Sequence, residues 1–375
     1  MELRGNAPAA PAHPGGTVNA TPGPSGRLIS ADSHVAVDLP VIRERVPANL
    51  HQAFDDAIAA QTAIDQELRG GRQMSSADFD MEAYTHPGYK EPHARLEAMD
   101  RDGVHAEVLY SEVSAFRSFG LVAGDWKPIS RAFTDHLAEF ASVDPDRLAV
   151  SYQVPVIDVP YAVQEVARLA ALGARSVHLP NFPSELGLPD YWDESYDPLW
   201  AVLQETGISI SHHLGVRNWL FDVFRRDPTP QAAVFTSLPS LALAEVLGLW
   251  LLSGTLERFP ELQIVFVEPG LYWIPGYLQA MDRRYEGGVY SIPAIHTKPS
   301  EIFRRQMAIT FMDDAAGLKL RHDIGIGNIL WSTDFPHPAT TWPNSEAVID
   351  RQMNGIPADE RELMVAGNAA RIYNL

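Results

Sequence analysis

The sequence predicts an α/β protein, a (β/α)8 TIM barrel, from three observations. Eight short runs rich in Val and Ile recur along the chain, amphipathic stretches separate them, and imidazole and carboxylate residues collect where the runs end. The runs are 28–31, 104–110, 148–154, 175–179, 208–212, 263–267, 307–312 and 326–332. Each is short and largely apolar, as strands buried on both faces of a parallel sheet are. Between them lie helical patterns such as 159–171 (VPYAVQEVARLAA) and 199–205. Eight strands alternating with helices close most simply into a barrel. A doubly wound sheet is the competing fold. It usually has fewer strands and a Gly-rich first turn, and no such turn follows 28–31.

The chain has 375 residues, enough for one barrel with additions. Residues 1–27 hold five Pro, five Gly and five Ala and read as a disordered N-terminal arm. Residues 28–375 read as a single domain. Within it, 46–92 is a long excursion after strand 1, rich in Gln, Asp, Gly and Ser, with a helical piece at 50–68. It is expected to be a lid insertion over the barrel mouth. Residues 344–375 read as closing helices. The most apolar window, 241–252, is too short to span a bilayer and carries Glu245. It is expected to be a buried helix or a homodimer interface. No internal repeat of 20–50 residues is visible.

Composition excludes several classes of function. With 29 Lys+Arg against 48 Asp+Glu, the formal charge is −19. That disfavours nucleic-acid backbones and anionic membrane surfaces as partners. The absence of Cys rules out disulfides, Cys-ligated zinc, iron–sulfur clusters and a thiol nucleophile. Nothing requires an oxidising compartment, and the N-terminus lacks the apolar stretch of a secretory signal, so a cytoplasmic location is expected. Any metal must be held by His, Asp, Glu and water.

The strand ends then carry the argument, because chemistry in a barrel sits at the C-terminal ends of its strands. Strand 1 ends in Ala-Asp-Ser-His, placing Asp32 and His34 on one face at period two. Strand 4 brings His178, strand 5 His212 and His213, strand 6 Glu268, and strand 8 Asp334 and His337. Alternation allows only one of His212 and His213 to face the axis, and His213 is the expected one. Glu112, after strand 2, is a weaker candidate. Each residue has a plainer reading: Asp334 as a turn cap, Glu268 as a salt-bridge partner, any one His as a structural side chain. His105, His136, His296 and His322 are read that way, and Trp273 and Tyr277 as core. Three carboxylates in one pocket would repel and raise one another's pKa. A bound cation is the natural compensation.

At this point the motifs resemble a known family. The segments are ISADSHV (29–35), RLEAMDRDGVHAEVLY (95–110), YDPLWAVLQETG (196–207) and SHHLG (211–215). FPELQIVFVEPGLYWIP (259–275), KPSEIFRRQMAITF (298–311), WSTDFPHPATTWPNS (331–345) and GNAARIY (367–373) follow in order. Together they are similar to the amidohydrolase-related metal-dependent barrels that include aminocarboxymuconate-semialdehyde decarboxylase and the aromatic-acid decarboxylases. The resemblance implies a metal held by Asp32, His34, His213 and Asp334. Two positions depart from it: the first strand-1 ligand is often His rather than Asp32, and Glu268 stands where the decarboxylases carry a His. His178 is not expected from the pattern either.

The expected site thus comprises Asp32, His34, His178, His213, Glu268 and Asp334 as metal ligands, with Asp334, Glu268 and His178 as catalytic candidates. One divalent ion leaves three carboxylates net negative and two make the site slightly positive, so one or two ions of Zn, Mn or Fe are expected. The chemistry implied is hydrolysis by metal-activated water, with Asp334 as ligand and base, or decarboxylation of a small carboxylic acid-like substrate. A non-haem di-iron monooxygenase acting on a natural-product intermediate is an alternative reading. A catalytically inactive metal-binding barrel is another. The lid and the loop 218–230 are expected to shape the substrate pocket.

Overall fold

The computed structural model describes residues 27–68, 85–111, 115–215, 229–230, 239–290, 292 and 294–375. Its centre is one parallel sheet of eight strands in sequential order: β1 (Leu28–Val35), β2 (Val104–Ser111), β3 (Leu148–Gln153), β4 (Ser176–His178), β5 (Ser209–His213), β6 (Ile264–Val267), β7 (Met307–Phe311) and β8 (Ile329–Trp331). Register runs from Leu28 opposite Val104 to Phe311 opposite Trp331. The sheet closes on itself where a bridge joins Ser33 to Phe335, just past β8. Here the His34 N–H donates to the Phe335 carbonyl at 2.6 Å, and the Asp334 N–H to the Asp32 carbonyl at 3.0 Å. The expected (β/α)8 barrel is therefore the observed fold.

Helices follow the strands because their apolar stripes need a face to cover. α1 (Leu39–Arg45) and α2 (His51–Leu68) precede β2, as does α3 (Pro92–Asp102). α3 starts on Pro92 and stops at Gly103, whose φ of 73° closes the helix in the left-handed conformation. α4 (Phe116–Leu121) and α5 (Lys127–Ala141) follow β2, α6 (Val159–Ala171) follows β3, and α7 (Asp197–Thr206) follows β4. α8 (Pro239–Leu252) precedes β6, and α9 (Ile274–Glu286) and α10 (Pro299–Gln306) precede β7. After β8, α11 (Ser345–Gln352) and α12 (Asn368–Tyr373) close the chain as expected, with a wide helical turn at Leu363–Gly367 between them.

Two segments refine the sequence reading. Strand 8 begins at Ile329, not at 326, because Ile326–Asn328 forms a 3-10 turn. The Asn328 side-chain amide donates to the carbonyls of Arg304 and Met307 at 3.0 and 2.7 Å. The apolar window around α8 is spent inside the protomer: Leu243, Val246, Leu247, Trp250 and Leu251 are buried, while Glu245 is exposed. Of the two expectations for it, burial in the core accounts for its composition.

The described part of the 46–92 excursion contributes to a second, smaller core. Val46 and Phe54 join Ile42 in a small core with Phe119, Ile129 and Phe133. Residues 69–84 of the proposed lid, 1–26 of the proposed arm, Glu112 and most of 218–230 lie outside the described residues. Among the described residues no helix is long and apolar enough to cross a membrane.

Leu247 is fully buried and Leu172 is 60% exposed. Leu247→Ala should therefore cost about 2–5 kcal/mol in a denaturant melt, and Leu172→Ala within about 0.5 kcal/mol of zero.

Candidate metal centre

Asp32 and His34 sit two residues apart on β1 and point to the same side, as the period of a strand requires. His213 ends β5, and its Nε2 lies 3.3 Å from Asp32 Oδ1. Asp334, just beyond β8, reaches the same space: its Oδ1 is 3.1 Å from His34 Nε2 and 2.8 Å from His337 Nδ1. Glu268 follows β6 and completes the set. Among the described residues three overlapping triads result, Asp32/His34/His213, His34/Asp334/His337 and Asp32/Glu268/Asp334, each with donor atoms within 4.8 Å of one another.

The two carboxylates from β6 and β8 are held in unusual backbone conformations. Glu268 has φ 69° and Asp334 φ 56°, in the left-handed region that costs a non-Gly residue energy. Specific bonds fix them there. The Glu268 N–H donates to Thr310 Oγ1 at 2.7 Å, and the Asp334 N–H is held by β1. Both deviations turn a carboxylate toward the barrel axis at the point where the strand ends.

Electrostatics follow from the crowding. Burial raises the Glu268 carboxyl, and the charge of Asp334 adds to it, taking it to about 8. Asp334 moves the other way. Burial opposes its ionisation, yet hydrogen bonds from His337 and His34 hold it well below the usual carboxylate range. Burial lowers His213, but Asp32, Glu268 and Asp334 together outweigh that and bring it to about 9. His34 is lowered by burial and by neighbouring His337, with Asp334 and Asp32 partly opposing, which favours the neutral imidazole a metal needs.

The donor set fits a divalent cation. Asp32 is fully buried, and its Oδ2 has no hydrogen-bond partner among the described residues. A buried carboxylate oxygen left unmatched is costly, and a coordinated ion removes that cost. Three carboxylates and three imidazoles, with no thiolate, suit Mn, Fe or Zn better than soft ions.

The surroundings sort the remaining candidates. His212 turns away from the axis, as alternation with His213 requires. Its Nε2 accepts from Trp250 Nε1 at 2.8 Å, and its Nδ1 lies 3.2 Å from Asn181 Oδ1. Asn181 in turn donates to the His213 carbonyl at 2.8 Å. Burial lowers His212 to about 3, so it stays neutral and fixes the end of β5. His178 is near the cluster but in none of the triads. Its ring stands 6.2 Å from that of His213, between Phe116 at 5.2 Å and Tyr110 at 5.9 Å. Burial and the neighbouring imidazoles push it well below its ordinary value. This geometry favours a wall residue over a ligand.

His337, which the expected ligand set did not include, stands in one of the three triads. The signal was present in Asp-Phe-Pro-His at the end of β8, but loop geometry, not strand period, decides that its imidazole meets Asp334. A cavity of about 230 Å³ opens beside the cluster, lined by Glu268, Tyr272, Phe311, Met312 and Ser332 among others. Glu268 therefore borders both the donor cluster and the cavity.

A parallel barrel with carboxylates and imidazoles converging at its strand ends defines a class: (β/α)8 barrels with a candidate metal centre. The sequence model of one such family, described as amidohydrolase, matches residues 77–375, and the chain belongs to that family. Solved structures share the fold. A 5-carboxyvanillate decarboxylase from Sphingomonas paucimobilis superimposes with a TM-score of 0.70 at 22% identity, covering 94% of this chain and 100% of the other. An amidohydrolase from Mycobacterium avium subsp. paratuberculosis gives 0.73 at 19%, with 94% and 100% covered. A dihydroxybenzoic acid decarboxylase from Polaromonas, with bound manganese and the inhibitor 2-nitroresorcinol, gives 0.61 at 18%, with 93% and 97% covered. No curated protein matches the chain by sequence.

Two measurements check the centre. His34→Ala and Asp334→Ala should each abolish stoichiometric metal in the purified protein, read by elemental analysis. Full metal content in either variant would remove that residue from the ligand set. The second concerns pH. In the metal-free state His213 and Glu268 hold protons to about 9 and about 8, above ordinary values of 6.5 and 4.5. At these two groups the folded state thus binds more protons than the unfolded chain. The stability that Glu268 contributes is lost as pH rises from about 4.5 through about 8, and that of His213 from about 6.5 through about 9. A metal held by His213 must displace the His213 proton, so its affinity should rise from pH 6 to pH 9, with proton release visible by calorimetry in buffers of different ionisation enthalpy.

Proposed function

We propose that this protein is a divalent-metal-dependent enzyme that decarboxylates or hydrolyses a small carboxylic acid-like substrate. The observation that carries the reading is the position of Glu268, shared between the donor cluster and the adjoining cavity. Asp32, His34, His213 and Asp334 would hold one ion. A bound ion supplies positive charge that offsets the carboxylates and draws electrons from a substrate oxygen. The substrate's carboxyl end then sits toward Asp32 and Asp334, and its body lies in the cavity against Tyr272, Phe311 and Met312. His178, with Tyr110 and Phe116, forms an aromatic wall on the β2–β4 side.

Decarboxylation is the preferred form, supported by the aromatic-acid decarboxylases among the structural neighbours. The bond to the carboxyl carbon breaks and its electron pair stays on the substrate carbon. Glu268, in its protonated form, delivers the proton to that carbon as CO2 leaves, and water later restores it. In the hydrolytic form Glu268 or Asp334 takes a proton from water instead, and the oxygen adds to a carbonyl. A cytoplasmic homodimer is consistent with either form.

A second reading draws on the six donors in three overlapping triads. With His337 and Glu268 added, the set is large enough for two ions. Two irons would permit oxygenation of an organic substrate in place of decarboxylation.

Metal analysis with gas measurements separates these. One Mn or Zn equivalent with CO2 release supports the decarboxylase, while two Fe with dioxygen consumption supports the oxygenase. Glu268→Gln should lower kcat by about 10²–10⁴ with one metal equivalent retained. An unchanged rate would remove Glu268 from proton transfer.

A further inference from the structure

We propose that Arg95 is a positioning residue for the metal centre: its buried guanidinium sets the seam between the strand ends that carry Asp32, His34, Asp334 and His337. The inference rests on the metal-dependent reading above and adds a residue that touches neither substrate nor ion. Arg95 lies on α3 and is fully buried. Its Nε donates to Glu107 Oε2 at 2.6 Å, and its Nη1 to the Gly88 carbonyl at 3.2 Å. Its Nη2 donates to the carbonyl of His34 at 2.8 Å. The guanidinium also lies over the ring of Phe335, 4.5 Å from its centroid.

Phe335 is the residue after Asp334, and its own carbonyl accepts the His34 N–H at 2.6 Å. One planar group therefore holds the peptide of a β1 ligand on one side and the ring that follows a β8 ligand on the other. The close approach is built in, since a Cβ on Gly88 would come within 2.9 Å of the Arg95 Cα.

Stability of the core does not explain this arrangement. A buried Arg–Glu pair is often no more stabilising than two well-packed apolar side chains of similar volume. What an apolar pair cannot supply is the donor to the His34 carbonyl. Lys would keep a charge opposite Glu107, but not the fork that makes three bonds in one plane. α3 grips the same loop twice more. Trp342 Nε1 donates to the Ala98 carbonyl at 3.1 Å, and the Ser345 N–H donates to Asp102 Oδ1 at 2.9 Å. Arg95 is the point where the helix reaches both sides of the seam.

The test compares wild type, R95K and the double variant R95M/E107L. Metal-free protein of each is titrated with Mn²⁺ by calorimetry, and thermal melts are recorded with and without Mn²⁺. The double variant should melt below wild type in its metal-free form, because the Gly88 and His34 carbonyls lose their donor, and, where folded, bind Mn²⁺ about 10–100-fold more weakly. R95K should show a smaller loss at an unchanged melting temperature. Wild-type affinity in either folded variant would overturn the inference. If the double variant does not fold, R95K decides: wild-type affinity overturns the role, and weaker binding at a wild-type melting temperature supports it. A wild-type protein that takes up no Mn²⁺ or other divalent ion would instead overturn the metal reading itself.

Discussion

The constraint on which the rest of this structure depends is the convergence of Asp32, Glu268 and Asp334 on one buried space. Three like charges cannot coexist there without compensation, because low polarisability of the surroundings magnifies their repulsion. In the metal-free protein, protons do part of this work, on His213 beside Asp32 and on Glu268 beside Asp334. A divalent ion would do it better, because it replaces repulsion among the carboxylates with attraction to a common centre. The positive φ angles of Glu268 and Asp334 belong to the same picture. Backbone strain is tolerated at these two positions because surrounding bonds determine them and because both deliver a carboxylate to the axis.

The second organising feature is the seam between β1 and β8. A barrel has to close somewhere, and here closure uses only a few backbone bonds helped by side chains. Ser30 Oγ accepts the Thr333 N–H at 2.9 Å and itself donates to the Asp32 carbonyl at 2.7 Å. Four of the six donors lie along this seam. The bonds that close the barrel are therefore also the bonds that set the ligand geometry. Binding a cation at this point should feed directly into fold stability. The β5 side is supported separately, through Trp250, His212 and Asn181, and Glu268 is held by Thr310, so His213 and Glu268 rest on scaffolds apart from the seam.

Much of this was legible in the sequence, for identifiable reasons. Asp32 and His34 were readable because strand period two is a local rule, and an Asp-x-His at the end of an apolar run obeys it. The same rule assigned His213 inward and His212 outward. His178 was less readable, since β4 is only three residues long and its end has no phase to extrapolate. The imidazole proves to be a neighbour of the cluster and not part of a triad. His337 was seen at the end of strand 8 yet not counted among the ligands, because a Pro-containing turn has no period from which direction can be read. Arg95 and Glu107 lay in plain view within one motif. Their pairing across a helix and a strand, and the contact of Arg95 with the His34 carbonyl 61 residues away, carried no local signal.

By itself the sequence determined the chemistry available and the elements that would bear it. With no Cys, any metal site had to be oxygen and imidazole. Eight apolar runs with polar ends had to become buried strands with reactive termini, because burial and side-chain alternation act over a few residues. Tertiary structure alone decided which of those termini meet, which carboxylate keeps its proton, and which residue stands behind the ligands. Those outcomes depend on distances set by barrel closure and on desolvation by neighbours remote in the chain, and neither quantity is written in a local pattern.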